Sequence, residues 1–351
     1  MKRIGIITYH RAHNYGAVLQ CYALQQVLIE LGYDACVIDF RQLFTERFYK
    51  LFSLRYFLSI LCKPNILLHY LIDIKKRFLR RIIFRSFVDK YLLTTSACSR
   101  KIPKDFDLYL IGSDQMWGLH CTNGIEPVFF GDFDHSSSVR IIGYAISTNF
   151  SSLECIGEAK LKKYVRNFSQ LSFREEVICR KVEDMTGIKG RVDVDPTLLT
   201  SASTWDALID CKWKNERYVL IYQIRYPQEK DLLLMKAKVL AKILDCKVID
   251  LSSMTYSLED FVSLFKYALY VVTTSFHATA FSIIFERPLY AVKLNDGHDG
   301  RYENLLKAIG GEQMLVEQNF IPSIKNVDYS SIKCNLNRIK AYSIDYLKTL
   351  S

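Results

Sequence analysis

Short runs of β-branched and aromatic residues alternate with amphipathic stretches along almost the whole chain. Residues 3–9 read as a buried strand, followed by a helix over 18–31 that Gly32 stops. Residues 35–40 form the next strand and complete a βαβ unit. Strands are then predicted at 107–112, 140–147, 170–173 and 191–194, with a helix at 157–168. The second half repeats the scheme. Strands fall at 217–225, 247–251, 269–275 and 288–293, and helices at 229–244, 257–268, around His277 and at 302–309. Ser257 and Asp260 give the 257–268 helix a capping pattern. Residues 328–350 read as a long terminal helix.

This alternation predicts an α/β fold with two Rossmann-like domains facing a cleft. The expected boundaries are residues 1–199, residues 200–327 and a terminal helix over 328–351. A rule of roughly 150 residues per domain gives the same count. Ligands of open α/β sheets bind beyond the carboxyl ends of the strands, so the loops at those ends carry the candidate chemistry.

Charge changes the picture in one place. The net charge is +10, yet residues 41–90 alone hold twelve lysines and arginines against three acids. Within that segment Leu67, Leu71, Ile74, Phe78 and Ile82 follow helical spacing beside a basic face through Lys76, Arg77, Arg80, Arg81 and Arg85. Lys63-Pro64-Asn65 interrupts any run long enough to span a bilayer. The segment therefore reads either as an interfacial helix on an anionic membrane surface or as a solvated helix packed on the core. No nucleic-acid motif accompanies it. The ten cysteines are scattered, with no metal-ligand spacing and no CxxC, which fits a reducing cytoplasm. The amino terminus MKRIGIITYH begins a strand without a signal-peptide apolar region, again predicting a cytoplasmic protein.

The most informative stretch is VVTTSFHATAFSI, residues 271–283. An apolar strand ends at Thr274 and Ser275, and His277 then opens a helix whose free N–H groups favour an anion. A histidine satisfied by local backbone is the plainer alternative. The loop after the first strand brings Asn14, Tyr15 and Gly16, where glycine lets a ligand approach a helix start. The stretch Gly112-Ser113-Asp114-Gln115-Met116-Trp117 offers hydrogen bonds beside an aromatic face, suited to a sugar, or else a capped helix with a core tryptophan. Arg174 follows another strand, and Arg225 and Arg301 end or follow strands of the second half. Two arginines and a histidine there suit a doubly anionic ligand; surface salt bridges are the alternative. GxGxxG, GxxxxGK[ST] and GxSxG are absent, so neither a dinucleotide fingerprint, a P-loop nor a nucleophile elbow is indicated.

NYGAVLQCYAL, LIGSDQMW, IGYAIS, LSFREE, VDPTLL and VVTTSFHATAFSI occur in this order from about residue 3 to about residue 310. That order resembles the polysaccharide pyruvyl transferase family. The resemblance implies a two-domain fold like the GT-B glycosyltransferases and transfer of pyruvate from phosphoenolpyruvate onto a sugar. The product would be a ketal on a cell-surface polysaccharide or its lipid-linked precursor, made without metal or organic cofactor. Ketal formation needs proton transfer, and a side chain that titrates near neutrality suits it, so His277 is the candidate general acid/base, with phosphate binding alone as the alternative. Arg225, Ser275, Phe276 and Arg301 would form the donor site in the second half. Asn14, Tyr15, Gly16, Asp114, Gln115 and Arg174 would form the acceptor side in the first. Several family members carry Arg-Leu-His where this chain has Ser275-Phe276-His277, so Arg225 and Arg301 would bear more of the donor charge. Two other functions fit the same architecture: a sugar-nucleotide glycosyltransferase, and a catalytically idle subunit that binds a glycan or lipid carrier.

Overall fold

The computed structural model describes residues 1–51, 64–99, 101–200, 202–227, 229 and 231–350, without the side chains of residues 64–72 and 202. Arg55 and Lys63 of the basic segment, and the side chains of Leu67 and Leu71, therefore lie outside the described residues.

Two all-parallel sheets form the molecule. The first runs in the order β2-β1-β3-β4-β5-β6. Its strands are β1 (Arg3–Ile7), β2 (Asp34–Val37), β3 (Leu108–Asp114), β4 (Arg140–Ile146), β5 (Gln170–Phe173) and β6 (Arg191–Val192). The second runs in the order β11-β10-β9-β7-β8. It contains β7 (Tyr218–Tyr222), β8 (Lys247–Asp250), β9 (Tyr270–Thr273), β10 (Leu289–Val292) and β11 (Leu315–Val316). Read from its own first strand, the second sheet repeats the order of the first. Each sheet reverses direction beside its first strand, between β1 and β3 and between β7 and β9. The crevice outside the carboxyl ends at such a reversal is where open α/β sheets take ligands. β3, β7, β9 and β10 are buried at every position, as strands covered by helices on both faces must be.

The helix Tyr15–Glu30 shows how the halves meet. Thirteen of its sixteen residues are buried, and a helix buried on nearly all sides must be covered from every direction. One side lies on the first sheet. The other meets the second half, where the Tyr15 ring stacks on Phe261 with centroids 4.5 Å apart. The Tyr15 hydroxyl donates to the Tyr256 carbonyl at 2.8 Å and accepts the Tyr256 amide at 3.1 Å. A single apolar cluster consequently runs from Ile4 and Val18 through Trp205 to Phe261 and Phe281. The terminal helix Tyr329–Lys348 ties both halves: Asn335 donates to the Ile309 carbonyl at 3.2 Å, and the Tyr33 hydroxyl donates to the Leu347 carbonyl at 3.0 Å.

Some elements depart from the sequence pattern. The first helix begins at Tyr15 and not at residue 18, because the Asn14 side chain caps it by accepting from the Ala17 amide at 3.3 Å. Helices Leu43–Phe48 and Glu176–Thr186 and the two-residue β11 were not foreseen. In Glu176–Thr186 only Ile178, Cys179, Val182 and Thr186 are buried, too sparse a stripe to stand out among its charges. In the basic helix Pro64–Tyr91 the packed face is Phe84, Phe87 and Val88. Phe78 and Ile82, expected among its apolar positions, are about half exposed (52% and 48%) together with Leu79 (48%).

Candidate active site

The carboxyl ends of the two sheets face one another across a cleft of about 940 Å³. The first half contributes Asn14, Gly16, Asp114 and Gln115, and the second contributes Arg225, Ser275, Phe276, His277 and Arg301. All but Arg301, which follows β10, stand at the strand-order reversals, so the chain brings its two crevices into one.

His277 is at the centre and is 8% exposed. Ser275 caps its helix, accepting from the Ala278 amide at 3.4 Å. The imidazole Nε2 lies 3.7 Å from the Asp195 carboxylate and has no hydrogen-bond partner among the described residues. The other edge of the ring lies over Gly16. A Cβ at that position would sit 2.0 Å from His277 Nδ1, so only glycine allows the first helix to approach the imidazole this closely. The histidine thus belongs to the second half in sequence and to both halves in space.

Asp195 anchors a buried polar network that sequence reading noticed only as part of VDPTLL. One of its oxygens accepts from the Thr197 amide at 3.0 Å and the Thr197 hydroxyl at 2.8 Å. The other accepts from Arg174 Nη1 at 2.8 Å and faces His277. Burial alone would raise the Asp195 carboxyl, but His277 and Arg174 outweigh it and hold the group well below the usual carboxylate range. Arg174 also donates to Glu175 at 3.1 Å and lies 3.7 Å from Asp114. Its guanidinium stacks on the Phe276 ring at 4.4 Å.

Arg174 was expected on the acceptor side and is instead buried behind the cleft, where it holds Asp195. Tyr15 is also removed from the cleft wall by its packing against Phe261. Trp117 is fully buried, stacked on Phe130 at 4.9 Å, with its indole N–H donating to the Phe129 carbonyl at 3.0 Å. It is the core tryptophan of the two alternatives and offers no face to a sugar. Aromatic surface at the cleft comes from Phe44, Phe48 and Tyr49 of the unforeseen short helix and its end.

The two arginines expected on the donor side differ in charge balance. Arg225 donates to Asp299 at 2.9 Å and to the Thr274 carbonyl at 3.1 Å, and pairs with Asp296. Burial works against its charge, but Asp299, Tyr302 and Asp296 raise its pKa. Arg301 is partly buried and has no hydrogen bond or ion pair with any described residue. Desolvation and then the Arg174 charge lower its pKa, against the Glu175 and Asp114 carboxylates, which raise it, yet a guanidinium remains protonated. Beside it are two histidines that the sequence did not single out, His120 from the first half and His298 from the second, with ring centroids 6.3 Å apart. Desolvation, His298 and Arg301 lower the His120 pKa in that order. Tyr9, whose buried hydroxyl has no partner, also lines the cleft.

Two Rossmann-like domains close around a cleft in which two arginines stand with two aspartates, and a histidine faces a buried carboxylate at its centre. The family model described as polysaccharide pyruvyl transferase matches residues 14–296, and the chain belongs to that family. No curated protein matches significantly. Among solved structures, the chain is similar to the UDP-GlcNAc 2-epimerase from Methanocaldococcus jannaschii (11% identity, 96% of this chain and 92% of that one, TM-score 0.46). It is also similar to MnaA of S. aureus, solved with UDP (11% identity, 97% of both chains, TM-score 0.49). A third is the glycosyltransferase SsfS6 from Streptomyces sp. SF2575 (14% identity, 99% of this chain and 96% of that one, TM-score 0.41).

Proposed function

We propose that the cleft transfers pyruvate from phosphoenolpyruvate to a sugar of a polysaccharide or its precursor, forming a ketal. The observation that carries this reading is Arg301. It is a guanidinium at the cleft wall that makes no ion pair with any described residue, beside His120 and His298. A buried or half-buried charge is stable only when paired, and a donor bearing carboxylate and phosphate supplies the missing anions.

The residues divide the work as follows. Arg301 grips the donor, with His298 and the first amides of the Phe276–Ile284 helix assisting. Arg225 is held by Asp296 and Asp299 and shapes the wall more than it supplies free charge. His277 delivers a proton to the donor methylene carbon, which leaves C2 cationic, and Asp195 steadies the imidazolium before that transfer. A sugar hydroxyl adds to C2 and loses its proton, the C2–phosphate bond breaks, and a second hydroxyl closes the ketal as its own proton leaves. Asp114, Gln115 and Asn14 meet the acceptor hydroxyls on the opposite wall, with Phe48 and Tyr49 offering ring faces.

Arg301→Gln is expected to weaken phosphoenolpyruvate binding by about 10–100-fold, since a charge-assisted hydrogen bond is worth roughly 1.5–3 kcal/mol. Arg225→Lys should weaken it less. Calorimetric titration of both variants is the check; the reverse order would return the donor anion to Arg225. Phosphate release from phosphoenolpyruvate on adding glycan acceptors tests the reaction itself. Turnover of a nucleotide sugar in its place would favour the glycosyltransferase alternative, and no turnover of either the idle subunit.

The exposed stripe of Phe78, Leu79 and Ile82, flanked by Lys75, Lys76 and Arg77, supports peripheral docking on an anionic membrane. Among the described residues no helix is long and apolar enough to cross a membrane. The protein is expected to sediment with anionic liposomes at low salt. It should be released near 1 M salt, where the Debye length falls to about 3 Å. Retention of the native protein in the supernatant at low salt would reduce this stripe to an ordinary solvated face.

A further inference from the structure

The surplus charge of the 41–90 segment is not spread evenly over a surface. Part of it lines a second cavity, of about 130 Å³, walled by Arg11 and Arg41 on one side and by Arg81 and Arg85 of the Pro64–Tyr91 helix on the other. Tyr49 lines both this cavity and the main cleft, so the two adjoin at the aromatic end of the acceptor wall.

The floor is built with care for guanidinium geometry. Buried Asp39 accepts from Arg11 Nε at 2.5 Å and Nη2 at 2.6 Å, from Arg41 Nη2 at 3.0 Å, and from His10 Nε2 at 3.0 Å. Burial opposes its ionisation, but His10, Arg11 and Arg41 together hold it far below the usual carboxylate range. One carboxylate thus fixes two arginines and leaves an excess of positive charge. On the facing helix Arg85 pairs with Asp89 at 3.4 Å, and Arg81 has no ion-pair partner among the described residues. Glu46 also faces the cavity. Behind it stands Arg80, whose buried Nε has no hydrogen-bond partner among the described residues and whose guanidinium lies 5.8 Å from the Tyr15 ring centre. Counting these groups, five arginines stand against three carboxylates. The local potential is visible at His13 on the wall. Burial, followed by Arg80 and Arg81, brings its imidazole down to about 4, so it is neutral at physiological pH and adds a hydrogen-bonding group without further charge.

The geometry points to a phosphate-binding subsite formed by Arg11, Arg41 and Arg81, which takes a phosphate or diphosphate carried by the acceptor while the acceptor's sugar occupies the cleft beyond Tyr49. The proposal rests on the transferase reading of the main cleft and adds to it the chemical class of the acceptor. A forked pair of guanidiniums oriented by a carboxylate is the arrangement that grips phosphate oxygens in register. A neutral glycan would have no use for it. The phosphate has two conceivable sources, the diphosphate ester of a carrier at the glycan's reducing end and the phosphodiester headgroups of a bilayer. The position favours the first, because the cavity opens beside the acceptor wall of the cleft.

The test titrates pyrophosphate and farnesyl diphosphate into the full-length native protein, the double variant R41Q/R81Q and R301Q, and separately titrates phosphoenolpyruvate into each. The native protein is expected to show two classes of pyrophosphate site. R301Q should lose the one in the cleft. R41Q/R81Q should weaken the other by about tenfold or more, the effect of losing charge-assisted bonds, with phosphoenolpyruvate affinity unchanged. Circular dichroism of the double variant checks that it is folded; Arg11 and His10 still satisfy Asp39, and R81Q alone leaves the floor intact and should show a smaller loss of the same sign. Native-like diphosphate binding by R41Q/R81Q would overturn the subsite. So would vesicles of phosphatidylglycerol that bind through Arg41 and Arg81 without competition from farnesyl diphosphate, since the pocket would then read headgroups. Loss of phosphoenolpyruvate binding by no variant, or its absence in the native protein, would instead strike the transferase reading and leave the subsite standing on the pyrophosphate data.

Discussion

His277→Ala is expected to lower turnover by about 10²–10⁴-fold, the usual contribution of a positioned acid/base group. Donor affinity should fall far less, because Arg301 and the helix amides would remain. The structural case is the isolation of the ring. Its Nε2 is buried, lacks a hydrogen-bond partner among the described residues, and faces a carboxylate that is itself held ionised by Arg174. A histidine that served only packing would not need a buried carboxylate at 3.7 Å. Asp195→Asn should show a smaller loss of the same kind, since it removes the charge that steadies the imidazolium and keeps the ring in place. Rates are to be read from phosphate release at saturating donor, with affinity from calorimetry. Near-native turnover in His277→Ala would end the acid/base assignment and leave the histidine as a phosphate ligand at most.

Gly16→Ala is the second substitution with a large expected effect, and it acts through the position of His277. The added methyl would meet His277 Nδ1 at 2.0 Å and Cγ at 2.3 Å, distances no real pair of atoms tolerates. The ring must move or the two halves must part. Misplacing a reacting group by about 1 Å can cost roughly 10²-fold in rate, and that loss in kcat is the expected outcome. Overpacking of this kind typically destabilises by about 1–3 kcal/mol, so thermal unfolding should drop only modestly. An active Gly16→Ala enzyme would mean that the open cleft closes through a different arrangement of His277.

The fold was legible because parallel strands covered on both faces leave continuous apolar runs, and these were counted with little error from β1 to β10. β11 and the Glu176–Thr186 helix escaped because a two-residue strand has no period and a charged helix with four buried positions has a weak one. At the site, His277, Arg301, Asp114 and Gln115 stood at predicted strand ends, and the structure gathers them around one cleft. Asp195, His120 and His298 were passed over. Nothing local distinguishes an aspartate before proline, or a histidine in a loop, until the chain across the cleft is present. Trp117 went the other way. A polar loop beside an indole looks like a sugar platform in one dimension, and Phe130 covers it in three.

Read in one dimension, the chain already carries the repeated α/β pattern, the loops that come to line the cleft, the family and the concentration of positive charge in residues 41–90. Local periodicity and motif order carry that much because each depends on neighbours within a few tens of residues. Only the folded chain shows which arginine is unpaired: Arg225 is spent on Asp296 and Asp299, while Arg301 has no ion-pair partner among the described residues. It alone withdrew Arg174 and Tyr15 from the cleft wall and set Gly16 against His277. Charge pairing and close approach depend on distances between residues far apart in sequence, and those are fixed only when two sheets with the same strand order turn their carboxyl ends toward each other.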